Sequence, residues 1–342
     1  MERFGTTKPP VFSVFGPVES LGMTAGQGLV IAVPASKLTI SATFRRSCGL
    51  ANVRIQPGTV PAMKTILIPT EDHDAMPAVL EGARLIARTF DSYMEGFAVR
   101  PSPGTYVTVE PVSSLAISGV FEADTAKVKA DFEKFMQGRS VPAGGTETPA
   151  VYSYAWPRAD AMEDAFIGTY GRIFDLIVLG RPGSAPENPR MPPLEAALFD
   201  AGKPVLIVPK QVPAAIGRNI LIAWNGSTEQ AHTNAFAMPF LRQAEKVTVL
   251  YVQGGSQEGP SVEEAALHLR RNGIKAEAVT VKRSDRPSGE AIGEITLEHA
   301  ASLGCDLVVK SAYTQSRLRQ MIFGGATRHI LAKAAVPVLM AH

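Results

Sequence analysis

Asp306-Leu-Val-Val309, a short polar turn, a helical run from Ser316 to Lys333, and Val336-Pro-Val-Leu-Met340 form the stretch whose reading decides the fold. A buried strand, a turn at its carboxyl end, a helix and a second buried strand make one parallel α/β unit. Such a unit leaves a crevice for a ligand where the strand hands over to the helix. The pattern occurs once before, as Asp175-Leu-Ile-Val-Leu-Gly180 followed by Pro204-Val-Leu-Ile-Val-Pro209. The chain is therefore read as a duplication.

Working outward, Thr65-Ile-Leu-Ile-Pro69 and Asn219-Ile-Leu-Ile-Ala223 are short apolar runs suited to central parallel strands. The first copy continues with a helix striped by Val79, Leu80, Ala83, Ile86, Ala87 and Phe90, then a strand over Tyr93–Val99. A helix over Asp124–Met136, a strand over Val151–Trp156 and a helix over Ala159–Ile173 follow. Strands at Phe174–Gly180 and Pro204–Pro209 close the copy, with a short helix at Leu194–Asp200 between them. In the second copy Ser227-Thr-Glu-Gln230 and Ser261-Val-Glu-Glu264 read as capping boxes, and Pro239 is expected to kink its helix. Strands at Val247–Val252, Lys275–Val281 and Cys305–Lys310 alternate with helices, the last of which spans Ser288–Leu303. The order predicts α/β architecture: two tandem doubly wound parallel five-stranded sheets, Rossmann-like, packed by analogy as a pseudo-dimer.

The repeat can be counted. Ile220 lies 154 residues after Ile66, Asp306 lies 131 after Asp175, and Pro337 lies 133 after Pro204. The first copy is thus longer before its fourth strand, with Ser102–Leu115 and Gly138–Thr148 as the expected place of the excess. Three segments result: an extension over 1–62, a first domain over 63–212 and a second over 213–342. Residues 1–62 carry two acidic residues, Glu2 and Glu19, against six basic ones, and one candidate strand at Leu29–Val33. That composition resembles a transit peptide, but no sorting signature opens the chain, so a disordered extension or a start codon placed too early is the preferred reading.

Apolar residues are 45% of the 342 and charged residues 19%, which suits a globular protein; no run has the length of a membrane-spanning helix. The formal charge of +2 argues against nucleic acid or an anionic membrane as the main partner. Cys48 and Cys305 form no CxxC, six histidines form no HExxH, and no GxxxxGK phosphate loop occurs, so no metal is expected. A cytoplasmic location is the default.

Asn219-Ile-Leu-Ile-Ala-Trp-Asn-Gly-Ser227 resembles the first strand and loop of universal stress proteins, and Cys305–Ala341 resembles their last strand–turn–helix–strand unit. The resemblance covers 63–342 as two tandem domains, is closer in the second, and implies an adenine nucleotide α-hydrolase-like fold. It implies a cytoplasmic stress-response protein: a ligand-sensing or protein-binding module, without turnover of its own, taking ATP or another adenine nucleotide. A nucleotide-hydrolysing or phosphotransfer enzyme, and an interaction protein with a vestigial pocket, are the alternatives. Protein partners are unknown, and further dimerisation is compatible with the tandem plan.

The resemblance places the cofactor site at Asn225, Gly226, Ser311, Thr314, Gly324, Gly325 and Thr327. The family's Gly-x2-Gly turn has become Ser311 and Thr314, Gly325 stands where Ser or Thr is expected, and Asn225 replaces an aspartate. Weak or altered binding is expected, because added Cβ atoms keep the backbone from a phosphate. The first copy keeps Gly180-Arg-Pro-Gly183 and places Glu71 where the acid belongs. Its prolines remove amide donors, and Pro193 stands ten residues past Gly183. A degenerate, structural first copy follows. No catalytic residue is assigned. Lys310, Arg317 and Arg319 suit an anion but read first as a solvated strand end and helix face. His299 reads as a hydrogen-bonded core histidine, His329 as lacking an acidic partner, Ser227 and Ser288 as helix caps, and Asp285-Arg286-Pro287 as a turn. Gly324-Gly325 fits either phosphate approach or close packing of the helix.

Overall fold

The computed structural model describes residues 29–31, 40–42, 63–101, 114–145, 150–255, 258–283, 287–312 and 324–342, with backbone alone for 29–31, 40–42 and 114–124. Two units are distinct, Met1–Pro61 and Ala62–His342. In the first, strand β1 (Leu29–Ile31) pairs antiparallel with β2 (Ile40–Ala42). All that follows concerns the second.

Its first half runs β3 (Thr65–Thr70), α1 (Met76–Phe90), β4 (Tyr93–Arg100), α2 (Ser114–Gly138), β5 (Ser153–Ala155), β6 (Met162–Glu163), α3 (Asp164–Tyr170), β7 (Leu176–Gly180), α4 (Met191–Asp200) and β8 (Val205–Val208). The second half runs β9 (Asn219–Ala223), α5 (Thr228–Gln243), β10 (Lys246–Val252), α6 (Val262–Arg271), β11 (Ala276–Val281), α7 (Gly289–Ser302), β12 (Leu307–Val309), α8 (Gly325–Lys333) and β13 (Val338–Met340). Each half lays down five strands in the same order, β5-β4-β3-β7-β8 and β11-β10-β9-β12-β13, parallel throughout. The halves meet edge to edge. β8 and β13 pair antiparallel, Ile207 opposite Val338 and Leu206 opposite Leu339, so the two expected sheets are one.

The apolar runs are buried because both faces of the sheet are covered by helices. Ile66 and Ile68 face one core with the α1 stripe, while Leu67 faces the other, as the two-residue period of a strand demands. Burying each such side chain contributes about 1.5–3 kcal/mol. Phe90 of α1 meets Phe240 of α5 edge to face at 5.3 Å, so one core runs across both halves.

The repeated aspartates have a structural cause. Asp306 accepts from the backbone N–H groups of Gly217, Arg218 and Asn219 at 3.0–3.1 Å. Asp175 accepts in the same way from Lys64 N, Thr65 N and the Thr65 hydroxyl at 2.7–3.1 Å. Each carboxylate ties the start of its copy's fourth strand to the start of the first.

Several expectations change. The helix expected over Asp124–Met136 begins at Ser114, so α2 has 25 residues where α6 has 10, and much of the first copy's excess length is helical. The helix expected over Ala159–Ile173 is instead the two-residue β6 against β4, the seven-residue α3 and a 3-10 turn at Gly171–Ile173. Met162 and Glu163 pair with β4, which delays the helix. α4 starts three residues before Leu194, its two prolines occupying the first turn where a missing N–H is harmless. α8 begins at Gly325, and the preceding residues 313–323, with Thr314, Arg317 and Arg319, lie outside the described residues. So do Ser102–Ser113, Asp285 and Arg286. α5 runs on through Pro239.

Candidate functional site

In the second copy the carboxyl ends of β9 and β12 are joined by a chain of polar contacts. Asn225 is nearly buried, and its Oδ1 accepts from Ser227 N at 3.1 Å, so the carbonyl that remains where an aspartate was expected is already engaged in the turn. Gly226 follows at φ +76°, a conformation that a side chain would strain. Ser227 caps α5 by accepting from Gln230 N at 3.1 Å. The reciprocal half of the expected capping box is absent: the Gln230 side chain, fully buried, turns away from the cap. It accepts from Ser311 N at 2.8 Å and donates to Asn234 Oδ1 at 2.9 Å. Asn225, Ser227, Gln230 and Ser311 are therefore one network. Ser261, by contrast, forms its box with Glu264 in full.

A cavity of about 340 Å³ opens at the ends of β9, β10 and β11, lined by Asn225, Gly226, Tyr251, Thr280 and the start of α6. Trp224 forms one wall, its indole N–H donating to Pro260 O at 2.9 Å. Of the expected site residues, Asn225 and Gly226 line this cavity; Ser311, Gly324, Gly325 and Thr327 are not among its walls. Ser311 is enclosed beside Gln230, and Thr327 is buried in the first turn of α8. Gly324 caps α8 with open space around it. Gly325 packs instead on α7: a Cβ there would stand 3.1 Å from the backbone of Gly289 and Glu290. Of the two roles expected for this glycine pair, close packing thus holds for Gly325.

Three readings are corrected here. Lys310 is not a solvated strand end; it is 7% exposed, and burial pulls its ammonium down to about 8, with Glu229 acting in the opposite sense. His329 has an acidic neighbour, Glu290 Oε1 at 3.6 Å from its Nδ1. Gln230 belongs to the site as well as to the cap; a Ser-x-x-Gln signature serves both uses and sequence does not separate them. His299 behaves as expected, half-buried with Nδ1 against Ile295 O at 2.8 Å, and Ser288 caps α7.

The first copy has the same edge filled by its own chain. A Cβ on Gly180 would lie 2.5 Å from Pro189, and one on Gly183 would lie 2.5 Å from Asn188. The loop from β7 to α4 therefore occupies its own glycine turn. Arg190, the last residue of that loop, grips Asp164 through two bonds of 2.7 and 3.0 Å and Glu71 through Nε at 2.5 Å. One guanidinium shared by two carboxylates does not offset the burial of Glu71, whose carboxyl is pushed up to about 7. Beside it burial pulls His73 down to about 4, and its Nδ1 is enclosed with no hydrogen-bond partner among the described residues. A cavity of about 230 Å³ remains next to these groups. Arg181, within the glycine turn, reaches the other half and donates to Ala332 O and Ala334 O at 3.0 and 2.9 Å, capping α8.

Among the described residues no cluster of three or more His, Cys, Asp and Glu is placed to hold a metal, and no helix is long and apolar enough to cross a membrane.

This is the edge, and these are the turns, of a doubly wound α/β domain. Residues 217–342 match the model of the universal stress protein family. A universal stress protein of Archaeoglobus fulgidus DSM 4304 shares the fold over both halves: it covers 81% of this chain and 95% of its own, with a TM-score of 0.63 at 12% identity. A Pseudomonas aeruginosa PAO1 protein of unknown function covers 82% of this chain and 93% of its own, at 16% identity and a TM-score of 0.49. A further Archaeoglobus fulgidus universal stress protein, in complex with dAMP, covers 36% and 96% at 17% identity, with a TM-score of 0.27. No curated protein sequence matches the chain.

Proposed function

We propose that the chain is a cytoplasmic stress-response module of two tandem domains, 63–212 and 213–342, of which the second senses an adenine-nucleotide ligand and the first supports it. Asn225 and Gly226, which line the cavity, are its ligand-facing residues, and Gln230 ties their turn to Ser311. The observation that carries this reading is the asymmetry between the copies. In the second, a cavity of about 340 Å³ stands open beside Asn225 and Gly226. In the first, Pro189, Asn188 and Arg190 fill the glycine turn and hold the acid. The family match of residues 217–342 supports nucleotide as the class of ligand. With the Asn225 carbonyl engaged by Ser227, what remains to greet a ribose is an amide donor, which fits a weaker or altered mode of binding.

Titration calorimetry with adenosine, AMP, ADP, ATP and dAMP tests the proposal, together with Thr280→Trp, which fills the cavity from an exposed position on the edge strand β11. Heat of binding in the natural protein, lost in the variant, is expected. Absence of heat for every nucleotide refutes the proposal and leaves the protein-binding reading. Loss of nucleotide over hours, abolished by the same substitution, replaces it with a hydrolase.

A further inference from the structure

A groove of about 810 Å³ runs between α5 and α6. Trp224 and Leu269 reach it from the core, and Met238 and Ala265 pack half-buried against that core along its floor. Ala231 and Ala235 of α5 stand exposed on one wall, and Leu267 of α6 is an exposed leucine on the other. Trp224 and Pro260 also wall the smaller cavity beside Asn225, but the groove extends away from it along both helices.

The fold does not ask for these apolar side chains. At the offset of 154 that joins Ile66 to Ile220, the buried Val79, Ala83, Ile86 and Ala87 of α1 fall on the buried Thr233, Ala237, Phe240 and Leu241 of α5. On that alignment Glu81 and Arg84 match Ala235 and Met238. In the first copy the buried Glu81 accepts two bonds from Arg84, at 2.7 and 3.0 Å, and lies 3.4 Å from Arg139, the residue after α2. These charges tie α1 to the end of α2. The second copy has replaced both halves of the tie with apolar residues and holds a groove between its helices. Apolar surface left open where the sister copy has an ion pair is what a partner's apolar face covers.

The charge around the groove says what kind of partner. Arg242, His268 and Arg271 rim it, and among the described residues neither guanidinium has a carboxylate within ion-pair distance. Glu264, the carboxylate on the lining, is already held by Ser261 in the capping box of α6. Positive charge is therefore in excess over an apolar floor. α6 has 10 residues, so the groove is about 15 Å long, the length of two to three helical turns. We infer that this groove docks an amphipathic helix of a partner protein, its apolar stripe on Trp224, Met238 and Leu269 and acidic flanks against Arg242 and Arg271. The docking surface does not depend on the nucleotide reading, and its test is run without nucleotide.

Two labelled synthetic helices of about four turns are the probes. Both carry leucines at the i, i+3, i+4 and i+7 spacing; one has glutamates on its flanks and the other lysines. Fluorescence anisotropy with the full chain is expected to show the glutamate helix binding at least about tenfold more tightly than the lysine helix. That preference should shrink as salt rises from about 0.05 to about 0.5 M. Arg242→Glu combined with Arg271→Glu, both at exposed positions, is expected to invert the preference. Ala235→Glu combined with Met238→Arg, which installs the pair the first copy carries, is expected to weaken the glutamate helix at least about tenfold, with circular dichroism confirming that the variant folds. Absence of binding by the glutamate helix, equal binding of the two helices, or binding untouched by either pair of substitutions overturns the assignment. Should the Ala235 and Met238 pair fail to fold, the charge reversal at the rim decides alone. A dimer of the natural chain in sedimentation velocity, split by Ala235→Glu with Met238→Arg, also overturns it and gives the groove to a second copy.

Discussion

Glu71 and His73 give the first copy two titrations of opposite sign within three residues. The Glu71 carboxyl rises from its ordinary 4.5 to about 7 in the native protein because burial outweighs its share of Arg190. Its contribution to stability is complete below pH 4.5 and is lost as the pH climbs to about 7. At about 1.4 kcal/mol for each pH unit, the loss is on the order of 3 kcal/mol. His73 falls from 6.5 to about 4 because burial disfavours the imidazolium. Its contribution is complete above pH 6.5 and is lost as the pH drops to about 4, again by an amount on the order of 3 kcal/mol. The two nearly cancel in the natural protein. Substitution separates them. Glu71→Gln removes the alkaline loss, so the difference in unfolding free energy between variant and natural protein should move in the variant's favour by about 3 kcal/mol from pH 4.5 to 8. His73→Gln should shift the other way, gaining on the natural protein between pH 6.5 and 4. Urea unfolding followed by tryptophan fluorescence at half-unit pH steps measures both, with the dependence on denaturant checked for constancy. Parallel curves for the natural protein and Glu71→Gln would refute the burial argument, since they would mean that Glu71 ionises alike in the folded and unfolded chain.

Asp306→Ala strips the acceptor from three backbone N–H groups and should cost about 3 kcal/mol in urea unfolding; a loss below about 1 would show that water replaces it freely. Arg181→Met removes two charged hydrogen bonds from the end of α8 and should cost about 1–3 kcal/mol. Amide exchange should quicken in the last turn of that helix and stay unchanged in α5. Gly293→Ala would place a Cβ 2.8 Å from the Cβ of His329 and 2.9 Å from Ala326 O, forcing α7 and α8 apart at a cost of about 1–3 kcal/mol. Gly324→Ala, with nothing within 4 Å, should change thermal stability by less than about 1 kcal/mol.

Where a single physical rule governs a segment, sequence reading located it well. Ile66–Ile68, Ile220–Ile222 and Leu307–Val309 are continuous apolar runs, which only a strand covered on both faces accommodates, and the α1 stripe has no other helical explanation. Where two rules compete, the reading went astray. Ala159–Ile173 has helical character throughout, yet Met162 and Glu163 find a partner in β4 that no local pattern announces. Lys310 looks like any lysine at a strand end, and nothing in its local sequence marks it as buried. The proline-rich stretch 186–190 was legible as poor in amide donors but not as a plug, because the grip of Arg190 on Glu71 spans 119 residues. The Gly325 contact with Gly289 is likewise invisible before α7 and α8 are set side by side.

The antiparallel seam between β8 and β13 has an evolutionary consequence. A symmetric pair of separate subunits must accept every substitution twice, so a change that harms one cleft harms both. Here the partners are encoded once each and stitched along Val205–Ile207 and Val338–Met340. Selection can therefore spend one cleft as scaffolding, its glycine turn filled by a proline loop, while the sibling is free to acquire a charged residue in its interior.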